Sequence, residues 1–195
     1  MNRMTDPRVR DDRVANTTPY AWPWNGSLDA RATAVLVVAA PGLARDTPEL
    51  TNAALLLEAL GSVGSPSIRV GTRTRFAPLE GGEAGAVPTD IQIEASGVDG
   101  FFGSPLETRL RQLGVERLLL CGGWLETSVH STMRTANDMG FECLLVRDAC
   151  IPLDETIVER SISMIEMSGG IFGAVGLTSD VLRAYSSSSQ KRDHS

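Results

Sequence analysis

From residue 34 to residue 40 the chain reads Ala-Val-Leu-Val-Val-Ala-Ala, a short unbroken apolar run rich in β-branched side chains. Such a run predicts a strand buried on both faces of a parallel sheet. Asp46-Thr-Pro-Glu49 then supplies an N-cap, a proline near the first helical position and a carboxylate in the first turn. With LTNAALLLEALGSVG behind it, this predicts a helix of about four turns with a glycine stop. SIRVG at 67–71 and DIQIE at 90–94 read as two further strands, separated by a Gly-rich loop over 72–89. Ser104-Pro-Leu-Glu107 opens a helix running through Gln112, Gly114 closes it, and Val115–Cys121 is a fourth, mostly apolar strand broken by Gly122-Gly123. A helical pattern from Leu125 to Met139 stops at Gly140 and is followed by a strand over Glu142–Arg147. A helix over Asp154–Met167, a strand over Ile171–Val175 and a helix over Ser179–Tyr185 complete the series.

Strands and helices alternating across short connections predict an α/β fold: three αβα layers around a six-stranded, mainly parallel sheet of Rossmann type, with right-handed crossovers. In such sheets ligands bind beyond the carboxyl ends of the strands, near the point where the strand order reverses. Here those ends are Ala39-Ala40-Pro41, Glu94-Ala95-Ser96 and Gly122-Gly123-Trp124-Leu125. The polar, unpatterned ends suggest flexible tails over 1–17 and 186–195 around one domain over 18–185.

Composition removes several function classes. A net charge of −6 and a pI near 5.0 work against binding nucleic acid, which rests on cationic contacts to phosphate. No apolar run approaches the roughly 18 residues of a membrane span, and the charged N-terminus does not read as a secretory signal, so a cytoplasmic location is expected. Three cysteines, Cys121, Cys143 and Cys150, lack metal-ligand spacing and read as buried thiols. With only His130 and His194 for imidazole ligands, neither a metal nor a cofactor is expected. Of the 18 basic residues 17 are arginine; the single lysine, Lys191, lies near the C-terminus, which excludes any mechanism needing a lysine in the core.

Two stretches carry a resemblance: PYAWPWNGSLDARATAVLVV, and CGGWLETSVHSTMRTANDMGFECLLVRDAC with its later partner MIEMSGGIFGAVGLTSDVL. Over about residues 19 to 185 the chain resembles the isochorismatase-like cysteine hydrolases, in particular the branch of biuret and ureidoacrylate amidohydrolases. That family uses an aspartate at the end of the first strand, a lysine at the end of the third and a cysteine at the start of the helix after the fourth. The thiolate attacks an amide or urea-type carbonyl, the aspartate moves the proton, and the lysine keeps both in their charged forms. The resemblance carries these positions onto Ala39, Ala95 and Ser128, so the triad is expected to be lost. The family's oxyanion region, with a non-proline cis peptide ahead of a threonine, falls on Trp124, Leu125 and Glu126, where an indole and a branched side chain are expected to narrow the pocket. The loop over 72–89 stands where relatives carry a longer lid.

Ser128 remains a candidate nucleophile if a base lies beside it; otherwise it is a small residue filling the space of a thiol. His130, two positions along the same helix, points elsewhere, and Glu94, Asp99 and Glu126 are candidate acids or bases as well as ordinary solvated or helix-start carboxylates. Trp22 and Trp24 read as interface anchors or as an arm docked on the body. The expected function is a catalytically inactive homologue serving as a structural or regulatory subunit, as a homo-oligomer or with an active paralogue. The alternative is a hydrolase of small amides or ureas with a rebuilt, non-cysteine site.

Overall fold

The computed structural model describes residues 12–43, 46–74 and 87–192. Six strands form one sheet: β1 (Thr33–Ala39), β2 (Ser67–Gly71), β3 (Ile91–Glu94), β4 (Arg117–Gly123), β5 (Glu142–Ile151) and β6 (Ala174–Gly176). Their order is β3-β2-β1-β4-β5-β6, with every neighbouring pair parallel. The apolar run places β1 at the centre, and all seven of its residues, like all seven of β4, are buried. The helices are α1 (Pro48–Gly61), α2 (Leu106–Gln112), α3 (His130–Asp138), α4 (Val158–Glu166) and α5 (Thr178–Arg192). Helices α1 and α5 pack on each other and on β5, whereas α3 and α4 lie against β5 and β6. From β1 the chain winds outward to β2 and β3, then returns to β4 and winds the other way, so right-handed crossovers place helices on both faces. The order therefore reverses between β1 and β4.

The expected fold is present, with shifted boundaries that have local causes. Helix α1 is capped by Thr47, whose side chain accepts from the Leu50 amide, with Pro48 at the first helical position. β5 continues four residues past Arg147 because Asp148 finds a distant partner: its Oδ1 accepts from the Thr178 amide and hydroxyl at 2.8 and 2.9 Å. β6 begins at Ala174 rather than Ile171, since Gly173 takes a left-handed turn at φ +105°. The Asp154–Met167 helix opens as a 3₁₀ turn, and α5 runs to Arg192, well past Tyr185.

Residues 12–17 are not a tail. Val14 is fully buried, its amide donates to the Trp22 carbonyl at 2.7 Å, and Thr18 forms an antiparallel bridge with Val175 that covers the β6 edge. Trp22 is fully buried, so the arm docks on its own domain, while Trp24 stays 72% exposed. The expected tail segments 1–11 and 193–195 lie outside the described residues, as does the loop segment 75–86. Among the described residues no helix is long and apolar enough to cross a membrane.

At the strand reversal, Gly122 sits at φ +103°, and a Cβ there would stand 2.0 Å from the Val38 carbonyl oxygen. Both the conformation and the contact demand glycine. Gly122→Ala is expected to lower the unfolding free energy by about 3 kcal/mol or more, measured by urea denaturation, because backbone cannot move aside as a side chain can.

Candidate active-site cleft at the strand reversal

Ladder register gathers the expected site. Ala39 pairs with Gly71 on one side and Gly123 on the other, and Gly71 pairs with Glu94. Beyond the strand ends the chains stay linked: the Thr72 amide donates to the Ala39 carbonyl at 2.9 Å, the Ala95 amide to Gly71 at 2.7 Å, and the Ala40 amide to Gly123 at 2.9 Å. Ala39, Thr72, Ala95 and Gly123 thus line one edge of the sheet, where an open α/β fold places its ligand.

The segment after β4 returns to this edge. The Gly123–Trp124 peptide is cis, so the cis bond lies one residue earlier than immediately before Leu125. A π-helical turn, Leu125–Val129, follows, with the Val129 amide reaching the Trp124 carbonyl at 3.0 Å. This turn brings Ser128 over β2: the Thr72 hydroxyl donates to Ser128 Oγ at 3.1 Å, and Ser128 is 3% exposed. Its carbonyl accepts from the Thr132 hydroxyl at 2.7 Å, and Thr132 Oγ1 in turn accepts from the Gly100 amide at 2.9 Å. Thr72 is a residue that the sequence pattern did not single out; its position just past the end of β2 was the available signal.

Next to Ala40 and Gly123 the strand ends are covered by bulk. The Trp124 indole donates to the Pro41 carbonyl at 3.2 Å and packs with Ala40, Leu43 and Ile151; Leu125 is buried. At Gly123 a Cβ would stand 2.5 Å from a Leu43 methyl, so these side chains reach the backbone itself.

Of the candidate acids and bases, Glu94 and Asp99 are committed elsewhere, whereas Glu126 and His130 each keep one polar atom without a hydrogen-bond partner. Glu94 pairs with Arg69 at 3.3 Å, and Asp99 accepts from the Phe101 amide at 2.9 Å and the Thr135 hydroxyl at 2.7 Å. Glu126 Oε2 accepts from the Leu153 amide at 2.8 Å, while its Oε1 is buried without a hydrogen-bond partner. His130 Nε2 is likewise buried and unpartnered, and burial, reinforced by Arg134, lowers the His130 pKa despite Glu126. Among the described residues no carboxylate or imidazole bonds to Ser128, and no group of acidic, histidine or cysteine side chains could hold a metal.

The three thiols are free and buried. Burial pushes Cys121 up to about 12, and raises Cys143 and Cys150 strongly as well, so none is a thiolate at neutral pH.

The comparisons agree with this architecture. Residues 72–177 match the isochorismatase domain. The chain is 38% identical over 66 residues to the uncharacterized isochorismatase family protein YecD of Escherichia coli O157:H7, covering 34% of this chain and 35% of that protein. It is 28% identical over 99 residues to the ureidoacrylate amidohydrolase RutB of Variovorax paradoxus (strain S110), covering 50% of this chain and 38% of that protein. Among solved structures, a cysteine hydrolase from Pseudomonas syringae pv. phaseolicola 1448A superposes with a TM-score of 0.70 at 18% identity, over 82% of this chain and 95% of that one, which establishes the fold. The matches to curated relatives span about a third to three fifths of those proteins' lengths. With the domain match covering more than half of its length, the chain belongs to the isochorismatase family.

Two outcomes follow from the burial at this site. In the native protein Cys121, Cys143 and Cys150 are expected to resist an aromatic disulfide reagent and to react together only on unfolding, read as thiol release against denaturant. His130 binds a proton less readily folded than unfolded, so stability is full above the ordinary value of 6.5 and declines as pH falls from 6.5 toward its lowered value. Urea midpoints followed from neutral pH down to about 5, above the carboxylate range, should show this slope, and His130→Gln should remove it.

Proposed function

We propose that the chain is a catalytically inactive isochorismatase-family protein that serves as a structural or regulatory subunit, as a homo-oligomer or beside an active relative. One observation carries the reading: the edge of the sheet that gathers the cleft presents Ala39, Ala95 and a Ser128 whose hydroxyl is held by Thr72, with no acid or base bonded to it among the described residues. Two methyl groups cannot move a proton or hold an oxyanion, and a hydroxyl without a base is a weak nucleophile. The indole of Trp124 and the side chains of Leu43 and Ile151, packed together beside Ala40 at the ends of β1 and β5, leave apolar bulk rather than polar groups there and support the same reading.

A second reading is a hydrolase of small amides or ureas with rebuilt chemistry. It draws on Glu126 Oε1 and His130 Nε2, buried and unpartnered on either side of Ser128 in sequence. Against it, the hydroxyl of Ser128 is already engaged by Thr72.

Ammonia release from ureidoacrylate and from biuret tests the two together. The purified chain is expected to release none above the buffer rate, and Ser128→Ala to change nothing, while native mass spectrometry of the chain co-purified with an active relative detects a stable oligomer. Turnover by the isolated chain that disappears in Ser128→Ala would establish the rebuilt site and sink the subunit reading.

A further inference from the structure

A second concave site lies at the opposite end of the sheet, independent of the cleft. Glu142 opens β5, paired in register with Arg117 at the start of β4, whereas the cleft lies where Gly123 pairs with Ile151. Around Glu142 is a hollow of about 320 Å³ lined by Tyr20, Trp24, Asn137, Glu142 and the backbone of Gly169 and Gly170, among others. This is at the small end of the range for small-molecule pockets and has room for a single planar cation.

Its walls are electron-rich. The rings of Tyr20 and Trp24 stand at 69° with centroids 5.3 Å apart, forming two walls of a corner. Glu142 Oε1 accepts from the Trp24 amide at 2.6 Å and the Tyr20 hydroxyl at 3.3 Å. Burial beside Glu142 pushes the Tyr20 hydroxyl far up, so it keeps its proton and donates. Oε2 has a different situation: Arg117 Nε stands 3.9 Å away, beyond hydrogen-bond length, which leaves this oxygen able to accept. Asn137 uses its amide nitrogen on the Met133 and Phe172 carbonyls at 3.1 and 2.6 Å, so its oxygen is the group it can offer. The side chains lining the hollow therefore present acceptors and π faces.

The ion group that includes Glu142 is net negative. Glu142 and Glu116 flank the single guanidinium of buried Arg117, which gives that group of three one net negative charge. Neighbouring arginines keep their charge and turn their N–H groups or faces elsewhere: Arg13 on the Pro23 and Trp24 carbonyls, Arg111 over the Phe141 ring and on the Met139 carbonyl, and Arg134 over the Phe172 ring. Two of them already stack a guanidinium on an aromatic face at 4.0 and 4.2 Å, a contact that the largely exposed Trp24 indole can also offer. An indole 72% exposed at the rim is a large apolar surface in water that a stacked ligand would cover.

We propose that this hollow binds a guanidinium group, stacked on the Trp24 indole beside Tyr20 and hydrogen-bonded to Glu142 Oε2. A guanidinium fits better than a quaternary ammonium because it brings N–H donors to the acceptors while keeping its face for the indole. The group comes from a free small molecule or from an arginine side chain of a partner protein, and the chemistry is the same for both.

The test is a titration of the ¹⁵N-labelled full chain with propylguanidinium, with a capped Gly-Arg-Gly peptide and with tetramethylammonium, at matched ionic strength. Propylguanidinium is expected to give saturable shifts of the Gly169, Gly170 and Trp24 indole signals in the millimolar range or tighter, with residues at the Ala39 edge unmoved. Trp24→Leu, which alters a mostly exposed side chain and leaves the fold intact, should weaken binding about fivefold or more, read on the glycine amides, and Glu142→Gln about tenfold. Tighter binding of the peptide assigns the source to a partner's arginine; equal or tighter binding of propylguanidinium assigns it to a small molecule. Absence of saturable shifts, equal affinity for tetramethylammonium, or an affinity untouched by Trp24→Leu would overturn the proposal.

Discussion

The arrangement at the centre of this protein depends on how closely β1 and β4 approach each other. At Gly122 the missing side chain would collide with the Val38 carbonyl, and the same residue marks the register shift between β4 and β5 at Leu120/Gly122. The extra residues of that shift lie on β5, where 146–149 stand against the single β4 residue Cys121, so β5 bows outward while β4 keeps its register with β1 through Gly123. The consequences run in sequence: Gly123 leaves a gap that Leu43 and Ile151 fill, the chain enters the cis Gly123–Trp124 peptide, and the π turn carries Ser128 back onto Thr72. Backbone geometry therefore shapes the cleft, and this geometry does not require reactive side chains.

The unbroken apolar runs made the layers legible, since β1, α1 and β4 announce their burial in the local pattern. What the pattern missed depends on partners far along the chain. Asp148 reads as a strand-ending charge, yet its carboxylate is satisfied by Thr178, thirty residues on, and the strand continues past it. Val14 sits among charged residues and reads as tail, but is buried because the arm folds back through the Val14–Trp22 and Thr18–Val175 hydrogen bonds. Thr72 has meaning only through a hydroxyl contact with Ser128, 56 residues away. Such contacts are products of register, which no local window contains.

The positions proposed as degenerate rest on a different kind of reasoning. Ala39, Ala95 and Ser128 were placed by resemblance, and the register independently brings the strand ends that carry them to one edge. Periodicity alone would have left Ala39 and Ala95 as two more small core residues. Their burial, at 6% and 2% exposure, is unremarkable for alanine.

On the proposed reading, the joint absence of the acid, the lysine and the thiol has an electrostatic logic. A buried carboxylate and ammonium beside a thiolate stabilise one another; removing a single member strands an uncompensated charge, at a cost of several kcal/mol, whereas replacing all of them with small neutral groups is close to neutral. The neighbourhood agrees: the Ser128 hydroxyl is matched by the neutral hydroxyl of Thr72, and apolar side chains pack around Ala40 nearby. The unpaired polar atoms near Ser128 in sequence, Glu126 Oε1 and His130 Nε2, are not part of that substitution, since Glu126 also fastens the Leu153 amide. A cleft rebuilt for catalysis would have to keep a charge poised against Ser128. This one pairs the Ser128 hydroxyl with the neutral hydroxyl of Thr72, the arrangement on which the proposed inactive reading rests.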